Sequence, residues 1–212
     1  MIVKICGLTS VSEARMVSDA GADLAGVVMF FEKSKRNITP EKASEIIKAL
    51  NESGNITSNE DNRNPVKGVA VMVSPSIEQI KIAETTGVSY LQIHGELTEE
   101  MIEAATLPII KAFNVTDLDK YDYYYSFDKI AGFVMDAAEY GSGKTFDWNL
   151  LSNFERGNKL FILAGGLNPD NVANAIKKVN PDGVDVSSGV EYSKDLVGKD
   201  PKLVKEFVSR AK

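Results

Sequence analysis

Hydrophobic and polar positions follow a repeating order along the chain, in which a short apolar run precedes a longer segment with apolar residues on one helical face. Apolar runs of about four to eight residues favour buried strands, and apolar residues three or four apart favour helices. Eight such units are present, which predicts a (βα)8 series. The predicted strands are Ile2–Cys6, Leu24–Phe31, Val66–Val73, Tyr90–His94, Ile109–Phe113, Ile130–Asp136, Leu160–Ala164 and Gly183–Ser187.

Helix candidates follow all eight predicted strands, and four of them have a clear start signal. Each of these four has a proline near its start, where the missing N–H of proline leaves no helical hydrogen bond unmade. They are Lys42–Leu50 after Thr39-Pro40, Ile77–Thr86 after Ser74-Pro75, Val172–Val179 after Asn168-Pro169, and Leu203–Ala211 after Asp200-Pro201.

The predicted strands are mostly continuous apolar runs, as expected for a parallel sheet that is covered on both faces. Eight such strands close into a TIM barrel, and an open doubly wound sheet is the structural alternative. We therefore predict a single (βα)8 barrel domain over residues 1–212, with an active site at the C-terminal ends of the strands. The polar segment Asn51–Asn64 is predicted to be a loop on the opposite face, without a chemical role.

Composition is ordinary for a globular protein, with 43% hydrophobic and 25% charged residues. A net charge of −6 and the lack of a Lys/Arg stripe do not favour nucleic-acid binding. The longest apolar run is too short to span a membrane and no secretory leader pattern is visible, so we expect a cytoplasmic protein. One cysteine and one histidine exclude a disulfide framework and a Cys/His metal cluster, and we expect no metal.

Two glycine-rich segments, Ala164–Asn168 and Ser187–Gly189, each directly follow a late predicted strand. Glycine lets backbone N–H groups approach an anion closely, and a following helix adds the positive end of its dipole. The pattern predicts that one phosphate of a small-molecule ligand is held from two loops. The candidate phosphate-binding residues are Gly165, Gly166, Ser188 and Gly189.

Two reactive side chains stand at predicted strand ends. Cys6 ends the first strand and is either a small buried apolar residue or, if cationic or dipolar neighbours lower its pKa, a base. Asp136 ends the sixth strand and is either a helix N-cap or a partly buried acid whose raised pKa suits proton donation.

Three further polar residues are candidates for binding. Arg36 lies in a cationic loop after the second strand. This loop is either a solvated surface turn, or it folds over the mouth of the barrel so that the guanidinium binds a substrate carboxylate through two hydrogen bonds. Asp185 faces either the barrel interior or a ligand hydroxyl, and His94 is expected to bond locally rather than to catalyse. The segment Gly141–Thr145 resembles the end of a nucleotide-binding P-loop but lacks its first glycine, because Ala138 stands there.

Eight segments in the same order match a known family. They are Lys4–Thr9, Ser34–Arg36, Gln92–Glu96, Ile110–Phe113, Asp136, Gly143–Trp148, Leu163–Pro169 and Gly183–Glu191. With these segments the chain resembles, over nearly its whole length, the phosphoribosylanthranilate isomerases of tryptophan biosynthesis. The resemblance implies a cofactor-free Amadori rearrangement of a phosphorylated aminosugar.

The resemblance also implies a role for each candidate residue. Asp136 would protonate the furanose ring oxygen, and Cys6 would remove the C2 proton of the resulting Schiff base. Arg36 would contact the anthranilate carboxylate and Asp185 a sugar hydroxyl. The phosphate would be held by backbone amides around Gly165, Gly166, Ser188 and Gly189.

Some positions depart from the family pattern, and other functions stay open. The family commonly has Pro-Arg-Tyr after the serine where this chain has Lys35-Arg36-Asn37, and both Asn51–Asn64 and Tyr192–Lys199 are longer than expected. Indole-glycerol-phosphate synthase and pentose-phosphate epimerase barrels are the enzymatic alternatives, and a single histidine does not favour the epimerase. A non-catalytic phosphate-binding barrel is the alternative of a different class.

Overall fold

The computed structural model describes residues 1–53, 65–114, 118–136, 148, 151, 154, 156–192 and 198–212. Its long strands are β1 (Ile2–Cys6), β2 (Leu24–Met29), β3 (Lys67–Val73), β4 (Tyr90–His94), β5 (Ile109–Asn114), β6 (Ile130–Asp136), β7 (Leu160–Leu163) and β8 (Gly183–Val186). The α-helices are α1 (Val11–Ala20), α2 (Pro40–Ser53), α3 (Ile77–Glu84), α4 (Glu99–Ala104), α5 (Tyr121–Tyr125), α6 (Val172–Val179) and α7 (Pro201–Ala211). A two-residue strand, Asn37–Ile38, and two 3₁₀ turns, Leu118–Lys120 and Ser188–Val190, complete the described elements.

The eight long strands form one closed parallel sheet. Each strand pairs with the next in chain order, and β8 pairs in parallel with β1 through the partners Lys4 and Asp185. The predicted (βα)8 barrel is confirmed, and the pairing between first and last strands excludes an open doubly wound sheet.

The predicted strand boundaries hold to within two residues. The largest difference is in β2, which ends at Met29 because Phe30 adopts a left-handed backbone with a φ of 58° that breaks the extended conformation. Helix α2 extends to Ser53, so the first residues of the predicted loop Asn51–Asn64 are helical. Residues 54–64, the P-loop-like segment 141–145 and most of the region predicted to hold the sixth helix lie outside the described residues.

Side chains alternate between the two sides of the barrel strands, as the pleat requires. One apolar cluster fills the space between strands and helices, and a second, smaller cluster fills the barrel interior. The interior cluster contains Cys6, Leu24, Val28, Val69, Val71, Ile110, Ala112, Val134, Ile162 and Ala164.

A buried glutamate in α1 ties the loop after β1 to the segment before α7. Glu13 Oε2 accepts hydrogen bonds from the backbone N–H groups of Thr9 and Ser10 at 2.6 and 3.2 Å. Its other oxygen, Oε1, accepts from the N–H of Lys199 at 2.7 Å. The carboxylate therefore satisfies donors from two chain segments that both border the C-terminal end of the barrel.

Close strand packing at Gly132 in β6 generates a stability prediction. A Cβ added there would stand 2.7 Å from both the Cβ and the carbonyl oxygen of Leu160, and the backbone of β7 cannot rotate away. We expect Gly132→Ala to lower the free energy of unfolding by about 1–3 kcal/mol, measured by urea denaturation.

The matched control is Gly68→Ala in β3, where an added Cβ meets the far end of the Ile47 side chain, Cδ1, rather than backbone. Because that methyl group can change rotamer, the control should lose less stability than Gly132→Ala. Equal losses in the two variants would show that backbone contact at Gly132 does not limit the packing of these strands.

Candidate active site

A cavity of about 530 Å³ opens at the C-terminal ends of the barrel strands. Its wall combines apolar side chains from β2 and β3 with polar side chains from β1, β4, β6 and β8. Seven of the eight predicted site residues line this one cavity: Cys6, Arg36, Asp136, Gly165, Gly166, Asp185 and Ser188. The barrel topology thus brings together residues that are far apart in the sequence.

Gly189, the eighth predicted residue, contributes close packing rather than a part of the cavity wall. A Cβ at this position would collide with the carbonyl oxygen of Leu167 in the other glycine-rich loop. Gly165 and Gly166 have φ values of 83° and 65°, a left-handed conformation that glycine adopts without strain. The two glycine-rich loops therefore touch each other, and each contributes to one rim of the cavity.

Cys6 sits almost fully buried at the inner end of the cavity, 8% exposed. Burial raises the pKa of its thiol, and the nearby Asp185 carboxylate acts in the same direction. The ammonium groups of Lys4 and Lys199 oppose this rise. The cationic neighbours that would lower the pKa of Cys6 are therefore present. In the free protein, burial has the larger effect and the pKa of the thiol is raised.

Lys4 and Asp185 form an ion pair inside the barrel. The Lys4 Nζ donates to Asp185 Oδ2 at 2.7 Å, and the two side chains are 0% and 7% exposed. Burial lowers the pKa of Lys4, but the charges of Asp185 and of the Cys6 thiolate outweigh it and the net pKa is raised. Lys4 is therefore a charged group in the barrel interior.

Arg36 is held by a glutamate that the sequence analysis did not single out. Its Nε donates to Glu191 Oε1 at 2.5 Å, while Lys35 Nζ donates to Glu191 Oε2 at 2.8 Å. Lys199 Nζ, fully buried, lies 3.3 Å from Glu191 Oε1. Burial of Glu191 raises its pKa, but the hydrogen bonds from Arg36 and Lys35 and the charge of Lys199 lower it to about 2.

This arrangement fixes the guanidinium of Arg36 through one of its nitrogens, in a residue that lines the cavity. Within the described part of the chain, neither Nη1 nor Nη2 donates a hydrogen bond, whereas Nε is fixed by Glu191. Gly7 makes room for the side chain, because a Cβ there would collide with Arg36 Cδ. A guanidinium fixed in this way can present two parallel N–H groups to a carboxylate.

His94 is buried in the cavity wall at the end of β4. Its Nε2 lies 2.8 Å from Gln92 Nε2, which makes the ring nitrogen the acceptor in that hydrogen bond. Burial, with the positive charges of Lys111 and Lys4, lowers the pKa of His94 to about 3. The local bonding expected from the sequence is present, and the imidazole is neutral at physiological pH.

Asp136 stands half-buried at the end of β6, beside Asn114 at the end of β5. It lines the same cavity as Cys6. The two residues lie on strands that are not neighbours, because β7 and β8 stand between β6 and β1 in the sheet. The cavity is thus bordered by an acidic side chain and a thiol from separate strands.

Comparison with known proteins identifies the family. Residues 3–210 match the family described as N-(5'phosphoribosyl)anthranilate (PRA) isomerase. The chain belongs to this family. A relative named N-(5'-phosphoribosyl)anthranilate isomerase from Geotalea uraniireducens is 39% identical over 99% of this chain and 98% of its own length. One of the same name from Listeria monocytogenes is 38% identical over 100% of this chain and 98% of its own.

Solved structures of PRA isomerases share the fold. The enzyme of Thermotoga maritima superimposes with a TM-score of 0.81 at 33% identity, covering 100% of this chain and 98% of its own. A PRA isomerase in complex with reduced 1-(o-carboxyphenylamino)-1-deoxyribulose 5-phosphate gives a TM-score of 0.73 at 31% identity, with 100% and 98% coverage.

Two further features of this PRA isomerase family member concern membranes and metals. No described helix combines the length and apolarity needed to cross a bilayer. His, Cys, Asp and Glu side chains of the described residues form no group of three that could hold a metal ion.

The neutral state of His94 is directly testable because the chain has one histidine. We expect its imidazole proton resonances to stay constant from pH 8 down to about pH 4, since its pKa in the folded state is about 3. The unfolded chain titrates near pH 6.5, so the unfolded state binds more protons below that value and stability should fall as pH drops from about 6.5.

The measurement is an NMR titration of the folded protein, with His94→Gln to assign the signals. The variant should also lose the part of the pH-dependent fall in stability that occurs below about pH 6.5. A midpoint near 6.5 in the folded protein would contradict the buried, neutral imidazole.

Proposed function

We propose that this chain converts N-(5-phosphoribosyl)anthranilate into 1-(2-carboxyphenylamino)-1-deoxyribulose 5-phosphate, an Amadori rearrangement of tryptophan biosynthesis. The observation that carries the proposal is that Cys6 and Asp136 border one cavity whose rim holds Arg36 and two glycine-rich loops. Family membership agrees with it. The substrate has a carboxylate at one end and a phosphate at the other, which suits this distribution of groups.

In the proposed mechanism, Asp136 acts as general acid and Cys6 as general base. Asp136 protonates the furanose ring oxygen, and the ring opens to a Schiff base. Cys6 then removes the proton from C2, and the resulting enolamine tautomerises to the ketone. An acid and a base on separate strand ends are the arrangement that such a two-stage proton transfer needs.

Binding of the two anionic ends would place the reacting carbon between acid and base. Arg36 would bind the anthranilate carboxylate through its two terminal nitrogens. Backbone amides around Gly165, Gly166, Ser188 and Gly189 would hold the phosphate, as at other glycine-rich anion sites. Fixing both ends reduces the entropy that the substrate must lose in the transition state.

Asp185 would accept a hydrogen bond from a sugar hydroxyl. Its Oδ2 is occupied by Lys4, whereas its Oδ1 is buried and has no hydrogen-bond partner among the described residues. A buried acceptor without a partner is unfavourable, so a hydroxyl donor from the substrate would satisfy it.

We also infer that residues 1–212 form one barrel domain that acts in the cytoplasm. The pairing of β1 with β8 near opposite ends of the chain supports a single domain. A substrate with charged phosphate and carboxylate groups does not cross membranes, which supports action in the compartment where it is made.

The test is a fluorescence assay in which an added phosphoribosyltransferase forms the substrate in situ from anthranilate and phosphoribosyl pyrophosphate, with release of pyrophosphate, and the decay of the substrate's fluorescence is followed. We expect the protein to accelerate the decay, and Cys6→Ala and Asp136→Asn each to lose at least about 100-fold in turnover. Asp19→Asn is the matched control, because this aspartate is exposed near the C-terminal end of α1 and does not line the cavity.

Two outcomes would contradict the proposal. Normal turnover in Cys6→Ala would exclude Cys6 as the base. No acceleration by folded wild-type protein would favour the alternative, a phosphate-binding barrel without catalysis.

A further inference from the structure

Lys4 is a charged lysine in a place where lysines are rare. Its side chain is fully buried in the interior of the barrel, on a strand that is otherwise apolar apart from Cys6. Burial of an ammonium group is unfavourable unless a carboxylate compensates it, and a buried ion pair often contributes little to stability compared with apolar packing. The fold alone therefore does not account for a lysine at this position.

The position of Lys4 relates it directly to Cys6. The two residues are two apart on β1, so their side chains point to the same side of the sheet. On the neighbouring strand, Gly26 is the in-register partner of Cys6. A Cβ placed there would lie 2.8 Å from Cys6 Sγ and 3.3 Å from Lys4 Nζ, so the thiol and the ammonium both pack against this glycine.

Asp185 fixes the ammonium beside the thiol. It is the in-register partner of Lys4 on β8, and it accepts one proton of Lys4 Nζ at 2.7 Å. Among the described residues no other oxygen or nitrogen accepts from Nζ, so the remaining ammonium protons are free to face Sγ. The ion pair thus holds the lysine in one rotamer with its charge next to the sulfur.

We propose that Lys4 is a positioning residue for the reaction, whose ammonium, anchored by Asp185, stabilises the thiolate of Cys6. This inference rests on the proposed function, in which Cys6 is the base and must lose its proton. A thiolate in a buried site needs a nearby cation, since the low dielectric strengthens the attraction and burial penalises the bare anion.

Among the residues that the structure describes, the charged groups that act on Cys6 come from three segments. Lys4 of β1 and Lys199 before α7 favour the thiolate, and Asp185 of β8 disfavours it. Lys4 has a larger effect on the pKa of Cys6 than either of the other two, which is consistent with the packing of both side chains against Gly26. The ammonium of Lys199 also donates to the carbonyl oxygen of Ser187 and pairs with Glu191. It is therefore held mainly by the segment that follows β8.

Removal of the cation should therefore raise the pKa of Cys6. Lys4→Met should raise it by about one unit or more, which is a tenfold loss of thiolate at a given pH. A purely structural role of the pair in joining β1 to β8 predicts no such shift in a folded variant.

The measurement uses the single cysteine of the chain. With a carbon-13 label at the cysteine Cβ, one NMR resonance reports the ionisation of Cys6 against pH in each variant. Lys48→Met is the matched control, because this lysine is 77% exposed on α2 and should leave the resonance unchanged. Lys4→Arg, which keeps the charge, should shift the pKa less than Lys4→Met.

If Lys4→Met does not fold, the double variant Lys4→Met/Asp185→Asn replaces it, since no unpaired charge is then buried, and its pKa should still rise. An unchanged or lowered pKa of Cys6 in a folded variant without Lys4 would overturn the inference.

The titration needs no substrate, so it is independent of the proposed function. If the predicted shifts occur in a protein that does not isomerise, the function alone fails. If the wild type isomerises and the shifts are absent, the inference about Lys4 alone fails. Where both hold, the alkaline shift of the Cys6 pKa in Lys4→Met should move the rising limb of the kcat/KM profile to higher pH.

Discussion

A buried ion pair between Lys4 and Asp185 joins the first and last strands of the barrel, and the arrangement of the site depends on it. The 2.7 Å contact lies where β1 and β8 pair, so it helps to fix the register that closes the sheet. The same contact orients Asp185 toward the cavity and keeps a cation beside Cys6. Closure of the fold and the electrostatics of the site thus share one interaction.

A second group of charges preorganises the rim of the cavity. Glu191 forms ion pairs with Lys35 and Arg36 of one loop and with Lys199, so one carboxylate holds three cations from two chain segments. The guanidinium is therefore fixed before any ligand arrives, and less side-chain entropy is lost on binding. Glu13 anchors the backbone of Lys199 from the other side and connects this group to the loop after β1.

The sequence predicts most of the fold because parallel strands buried on both faces leave a direct signal. Continuous apolar runs define them, and β1, β4 and β6 have the predicted bounds. Barrel topology then explains why Cys6 and Asp136, at strand ends 130 positions apart, line one cavity. Eight repeats of one pattern leave few alternative topologies.

Other features have no local signal in the sequence. Glu191 meets Arg36 across 155 positions, and nothing near either residue indicates the contact. The left-handed backbone of Phe30 has no signal either, since its residue type does not favour that conformation. Strand alternation could have placed Lys4 on the same side as Cys6, but its pairing with Asp185 depends on the register between β1 and β8.

A crystal structure of this protein with reduced 1-(o-carboxyphenylamino)-1-deoxyribulose 5-phosphate tests the central claim most directly. The account predicts the phosphate between the two glycine-rich loops, the carboxylate on the terminal nitrogens of Arg36, and the C2 carbon between Cys6 Sγ and the Asp136 carboxyl. A ligand bound in the reverse direction, or outside this cavity, would contradict it.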